Sequence, residues 1–242
     1  MSQCQFVCVK WGTKYPADYV NRLYNMISRQ MQADFVLYCL TDNGEGLHPN
    51  IKVLPIIDNS LAGWWHKLSL FKADFFGLQG DLVFTDLDVV IVGKLDEFFT
   101  VSPGEFLITR DLATGAYNSS VFRFRVGSQP QIWDSFLEKP DYVMANFKGD
   151  QDWITETVEG AALWPAPWVV SFKKQCDSRI SRSFGRIGVL LRKYGLMRVT
   201  GEATIPDGAR IIQFHGKPDP EDVIDGPYDI YRAAPWIRDY WY

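Results

Sequence analysis

Gly80–Phe99 reads GDLVFTDLDVVIVGKLDEFF, and it sets two aspartates, Asp86 and Asp88, inside a run that otherwise has the composition of a buried strand. One unpaired carboxylate in an apolar setting is costly, and two close together repel. A cation, a proton or a turn into solvent has to compensate. If the run is one continuous strand, its period of two puts both carboxylates on one side and Leu87 on the other. Two carboxylates so placed can hold a hard divalent cation such as Mn²⁺ or Mg²⁺. The competing reading is a turn with solvated acids. The apolar flanks LVF and VVIV favour the metal.

Outward from this stretch, apolar runs alternate in period. Phe6–Val9 reads as a strand, and ADYVNRLYNMISRQM repeats Tyr19, Val20, Leu23, Tyr24 and Ile27 at helical spacing. FVLYCL, Phe35–Leu40, reads as a buried strand ended by the turn-forming TDNGEG, and IKVLPI as another strand. GWWHKLSLFKADFFG predicts a helix with Trp64, Leu68, Phe71 and Phe75 on one face. Strand, helix, strand, strand, helix, strand is the order of an α/β layer fold with a largely parallel sheet. Ligands in such sheets bind beyond the carboxyl ends of strands, which is where Asp86 and Asp88 follow LVF.

The second half is less regular. EFLITR and NSSVFRFR read as strands, SQPQIWDSFLE as a helix, and DQDWITETVEG as a helix opened by Asp150. VVSF is β-rich, and ARIIQFHGKPDPED is a strand running into a Gly/Pro-rich loop. No repeat or linker interrupts residues 1–242, so a single domain is expected. The regular part ends at about residue 125, which divides the domain into halves of about 1–125 and about 126–242, the second with the tail.

Composition narrows the function. A formal net charge of −4 gives no support for a general nucleic-acid binder. Cys4, Cys8, Cys39 and Cys176 form no C-x-x-C pair, and three lie in or beside apolar runs, which suggests free thiols in a reducing compartment. The N-terminal MSQCQFVCVK lacks the pattern of a signal peptide, and no run approaches the roughly 20 apolar residues of a membrane-spanning helix. A cytoplasmic protein is expected. Against that acidic background, residues 173–198 carry eight cations, Lys173, Lys174, Arg179, Arg182, Arg186, Arg192, Lys193 and Arg198, and one acid, Asp177. The segment suits an anionic acceptor, a partner or peripheral contact with lipid headgroups at the cytoplasmic face, or else forms a solvated helix face.

QFHGKPDP supplies one of only three histidines, His215, at a strand end, with Lys217 two residues on. An imidazole there can complete a metal site and the lysine can meet a diphosphate; an ordinary surface loop is the plain alternative. His48 and His66 have no such setting and read as structural.

FTDLDVVIVGKLDEFF, AYNSSVFRF, DQDWI and FHGKPDP occur in the order seen in retaining glycosyltransferases of the glycogenin and bacterial lipopolysaccharide galactosyl- and glucosyltransferase type, and the chain resembles that family from about Phe6 to Pro220. The resemblance implies the glycosyltransferase A fold, a Rossmann-like, mostly parallel sheet with flanking helices. It implies transfer of a hexose from a UDP-linked nucleotide sugar to a glycan, lipid-linked or protein acceptor, with retention, about 1–125 being the nucleotide-sugar-binding half and about 126–242 the acceptor-side half and C-terminal tail. Asp86, Asp88 and His215 match the ligands of Mn²⁺. Gly216 and Lys217 match the pair that follows, the lysine on the diphosphate. Asn118 and Ser119 match the pair on the donor sugar, and Asp150 and Gln151 the pair beside the anomeric carbon. Lys67 matches a basic residue on donor sugar or phosphate. Lys10, Trp11, Gly12 and Thr13 sit where the first loop meets base and ribose. Lys67 read without the family is a solvated helix lysine, and Asp150 a helix N-cap. The chain departs from the family at NSSV, where a glycine usually follows the pair, at Asp219, where a tryptophan usually follows Lys-Pro, and in the first loop KWGTKYP. Two alternatives remain: a nucleotide-sugar-binding protein without turnover, and a haloacid-dehalogenase-type phosphatase with Asp86 as nucleophile.

Overall fold

A computed structural model describes residues 3–111, 114–177, 187, 190–191, 193–196 and 200–242. Its contacts group into two compact units. The first is Met1–Tyr24, Met31–Leu87 and Leu95–Trp164; the second is Asn25–Gln30, Asp88–Lys94 and Pro165–Tyr242. Most of the cationic segment 173–198, including Arg179, Arg182, Arg186, Arg192 and Arg198, lies outside the described residues.

The first unit is an α/β layer. Its strands are β1 (Cys4–Lys10), β2 (Phe35–Thr41), β3 (Lys52–Pro55), β4 (Asp81–Thr85), β6 (Leu107–Arg110), β7 (Tyr117–Arg125) and β8 (Ala162–Leu163). They form one sheet in the order β3-β2-β1-β4-β7-β6-β8. β3, β2, β1 and β4 run parallel, β7 is antiparallel to both β4 and β6, and β8 is parallel to β6. The helices are α1 (Ala17–Gln30, whose last residues group with the second unit), α2 (Pro130–Glu138), α3 (Pro140–Asn146) and α4 (Asp150–Thr157). The helices after residue 125 are short and the strands there irregular, so periodicity reads weakly and α3 and β8 go unnoticed in the sequence.

The segment expected as an α-helix across Trp64–Phe75 is a 3₁₀-helix over Gly63–Phe71. At three residues per turn, positions i and i+3 eclipse. Trp65, Leu68 and Phe71 are therefore aligned on one side, every residue from Trp65 to Phe71 is buried, and Trp64 remains 57% exposed. Trp65 stacks on Phe136 of α2 with centroids 5.8 Å apart, and Phe71 stacks on Phe122 of β7 at 5.4 Å. Phe75 is fully buried beyond the helix end, where the chain has turned extended at Lys72. These side chains, with Phe84, Phe124, Trp133 and Trp153, make one aromatic core.

Arg123 on β7 is the largest fully buried side chain. Its guanidinium donates to the carbonyls of Phe98, Ser102 and Glu105, tying down the loop before β6. Backbone acceptors away from water need such partners.

The second unit carries a three-stranded sheet, β5-β10-β9, of β5 (Val89–Ile91), β9 (Val169–Ser171) and β10 (Ile211–Gln213). β10 is antiparallel to β5 and parallel to β9. The run LVFTDLDVVIV is thus two strands in two sheets, with a bend at residues 86–88. The period-two placement expected for a continuous strand does not apply to the two aspartates. Among the described residues, no helix is long and apolar enough to cross a membrane.

Candidate active site

Asp86 stands at the carboxyl end of β4, where its N–H donates to Ser120 O at 2.8 Å and extends the pairing with β7. Because β7 runs antiparallel, its first residues, Tyr117, Asn118 and Ser119, arrive at that same end of the sheet. Asn118 and Ser119 are buried there, and Asn118 Oδ1 accepts from Ser120 N–H at 3.0 Å.

Lys67 joins these elements. Its side chain is buried, with Nζ 3.0 Å from Asp86 Oδ1 and 2.9 Å from Asp150 Oδ2. It also donates to Ser119 O at 3.2 Å and Ser119 Oγ at 3.3 Å, over the Phe84 ring. Ser119 Oγ in turn donates to Asp150 Oδ2 at 2.7 Å. Lys67 is therefore no solvated helix lysine. Asp150 is no N-cap either: it is the first residue of α4, the cap is Gly149, and no side-chain cap bond forms. Among the described residues, no side-chain bond brings Gln151 into this group; its carbonyl accepts from Thr155 Oγ1.

The charges explain one another. Burial alone would lower the Lys67 pKa, but attraction to Asp150 and then Asp86 outweighs it, so the ammonium is held above its ordinary range. Burial pushes the Asp86 carboxyl up, Lys67 pulls it down, and the nearby Asp150 adds to the rise. Lys67 thus supplies a cation that Asp86 needs. Two carboxylates against one ammonium leave surplus negative charge, and the Asp86 side chain keeps 29% of its exposure. That combination, with oxygen donors, suits a hard divalent cation at Asp86. Among the described residues, however, no three His, Cys, Asp or Glu side chains are gathered as a ready-made metal centre.

The first loop of this unit is also ordered by side chains. Lys10 Nζ donates to Asn43 O at 3.3 Å, Gly12 N–H donates to Asp42 Oδ2 at 3.0 Å, and Gly12 takes φ +62°. Thr13 is exposed. Trp11, 39% exposed, lies against His66 with ring centroids 5.4 Å apart. Burial pushes His66 down, opposed by Asp42 and Asp58, and its Nε2 has no hydrogen-bond partner among the described residues.

In the second unit, Asp88 precedes β5 and is buried, so it is no solvated turn acid. Its carbonyl accepts from Phe214 N–H at 2.9 Å, so Asp88 and His215 extend neighbouring strands. Gly216 takes φ +60°, a conformation glycine adopts without strain. Lys217 lies 2.9 Å from Asp219 Oδ2 and 2.8 Å from Asp222 Oδ2. Hydrogen bonds that the ammonium donates to those carboxylates, Asp222 first, hold it above its ordinary range. Asp219 and Asp222 also form a reciprocal capping box on Pro220–Val223.

The architecture matches solved glycosyltransferases. The chain has the glycosyltransferase A fold. Glycosyltransferase GlyE of Streptococcus pneumoniae TIGR4 superposes with a TM-score of 0.60 at 12% identity, over 90% of this chain and 56% of that one. The galactosyltransferase LgtC, solved with donor and acceptor sugar analogs, gives 0.59 at 12% identity, over 89% and 88%. The bifunctional glycosyltransferase WbbM gives 0.61 at 13% identity, over 98% and 51%. The chain spans about half the length of GlyE and WbbM. No protein-family profile matches the sequence, and no curated protein matches it.

Proposed function

We propose that this chain is a metal-dependent glycosyltransferase that moves a hexose from a nucleotide sugar, UDP-linked, to a glycan, lipid-linked or protein acceptor with retention. The observation that carries the reading is the buried Lys67 held between Asp86 and Asp150 at the strand ends of a glycosyltransferase A fold. Asp86, Asp88 and His215 are the proposed ligands of Mn²⁺ or Mg²⁺. When bound, the cation would offset charge developing on the departing diphosphate.

The chain's own residues divide the remaining work. Asp150 presents an acceptor to the hydroxyls of the donor hexose, and Lys67, whose N–H groups are spent on Asp86, Asp150 and Ser119, donates to the sugar by exchanging its bond to Ser119. Such preorganised dipoles and charges need no rearrangement as the transition state forms. Asn118 and Ser119 complete that sugar-binding edge. Lys10, Gly12 and Thr13 face base and ribose, and Gly216 and Lys217 the diphosphate. Asp150 is the stronger candidate beside the anomeric carbon, since Gln151 makes no bond to the group. The leaving phosphate takes the acceptor's proton, so no side chain has to serve as a protonated general acid.

The test is release of nucleoside diphosphate from UDP-, GDP- and dTDP-sugars, with and without Mn²⁺ and with a mixed glycan acceptor pool. Mn²⁺-dependent release supports the assignment. Mn²⁺-dependent binding without release favours a nucleotide-sugar-binding protein. A phosphorylated Asp86 would favour the phosphatase.

A further inference from the structure

We infer that Lys173 is an anion-binding residue of the second unit and contacts the diphosphate of the donor more directly than Lys217 does. The inference rests on the proposed nucleotide-sugar site and adds a residue that the sequence motifs do not assign.

The strand register puts Lys173 there. β9 and β10 are parallel, with Ser171 opposite Gln213. One residue on, Phe172 and Phe214 stack with centroids 4.5 Å apart. The next step brings Lys173 level with His215, and Lys173 Nζ donates to His215 O at 2.6 Å. The carboxyl ends of parallel strands are where such sheets take ligands. Lys173 also lies in a single π-helical turn, Phe172–Cys176, immediately after β9. Single π turns are rare and recur at functional sites.

The two lysines differ in what already holds them. Lys217 is clasped by Asp219 and Asp222, so an incoming phosphate has to compete with two carboxylates. Lys173 spends one N–H on a neutral carbonyl and lies 5.5 Å from the centroid of the Tyr231 ring, and among the described residues no carboxylate forms an ion pair with it, so two N–H groups remain for a ligand. A Cβ on Gly216 would stand 4.0 Å from Lys173 Nζ, which puts the ammonium beside the bare backbone of the His-Gly-Lys turn. Burial holds the Lys173 ammonium below its ordinary range, opposed by Asp219 and then Asp88. A half-buried ammonium at a glycine turn can reach a phosphate oxygen while keeping its carbonyl bond.

The experiment is calorimetric titration of the full chain with inorganic pyrophosphate and with UDP, each in Mn²⁺. Lys173→Gln keeps a donor for His215 O and drops the charge. We expect it to weaken both ligands about tenfold, or about 1.4 kcal/mol, whereas Lys217→Met weakens them about threefold, or about 0.7 kcal/mol. Lys173→Arg should recover most of the loss. Asp222→Asn in the Lys173→Gln background should recover part of it, because Asn still accepts from Asp219 N–H but frees Lys217 of one carboxylate. A folded Lys173→Gln protein that binds both ligands like the parent overturns the inference and leaves the proposed site intact. So does a larger loss from Lys217→Met. Should Lys173→Gln not fold, the folded Lys173→Met and Lys217→Met proteins are compared in its place, and a loss from Lys217→Met as large as that from Lys173→Met overturns the inference. A parent that binds neither pyrophosphate nor UDP refutes the proposed site and this inference with it.

Discussion

Lys67 Nζ lies 3.0 Å from Asp86 Oδ1, so the carboxylate at the end of β4 is balanced first by a buried ammonium of the same chain. A third group, Asp150, shares that ammonium at 2.9 Å. Removing Lys67 leaves two neighbouring carboxylates without their cation.

Lys67→Met should therefore destabilise the protein by about 3 kcal/mol, because breaking a buried pair strands the partner charges. Urea unfolding measures it. The sign of the pH dependence follows from the raised Lys67 pKa. Its contribution is complete below the ordinary lysine value of 10.5 and is lost as pH rises through the higher folded value. The gap between parent and variant should stay level from neutral pH to about 10 and close only above that.

Asp150 and Gln151 are adjacent but differ in what they touch. Asp150→Asn loses the full charge on Lys67 and should lower kcat by about a hundredfold, in the range of a lost transition-state contact. Gln151→Ala should cost about tenfold or less. Steady-state kinetics with the donor identified by the nucleotide-sugar screen separates the two, and equal losses would contradict the placement.

Asp88→Asn should abolish Mn²⁺-dependent donor binding and leave the far-UV spectrum unchanged. Calorimetry with and without Mn²⁺ reads the first and circular dichroism the second. Turnover at the parent's rate would remove Asp88 from the ligand set.

Arg123→Leu keeps much of the buried volume but strands the carbonyls of Phe98, Ser102 and Glu105. A loss of about 3 kcal/mol is expected, given about 1–3 kcal/mol for each buried group left unsatisfied. The measurement is the urea midpoint, with KM for the donor unchanged in whatever protein stays folded.

All four cysteines are free thiols. Cys176 is buried and its pKa is pushed up to about 12, by burial first and then by Asp177. Cys8 and Cys39 are fully buried, and Cys4 is partly exposed. A thiol reagent at neutral pH should label Cys4 alone before unfolding and all four after, since the thiolate is the reactive form.

Much of this was written along the chain. The strands Cys4–Lys10, Phe35–Thr41 and Asp81–Thr85 and the helix Ala17–Gln30 were legible because period and length were unambiguous. The Asp-x-Asp pair, FHGKP and DQD were legible as candidates because their residue types demand compensation. The sequence could not say that Gly63–Phe71 winds at three residues per turn, which moved Trp64 out and Trp65 in. Nor could it say that LVFTDLDVVIV breaks into two strands. The first outcome lies in two helical periods that differ by less than one residue per turn, and the second in which sheet each strand pairs with, which tertiary packing decides.

Local composition by itself thus determined the α/β class, the strand end that carries Asp86, and the need for a positive charge there. Only the tertiary structure decided which charge answers it. An antiparallel β7 carries Ser119 back to the end of β4, and the start of α4 delivers Asp150 to the same ammonium. Lys67 and Asp150 lie far apart in the chain, as do Lys173 and His215. A charge finds its partner through strand direction and register, and those are set by which faces the whole chain can bury at once.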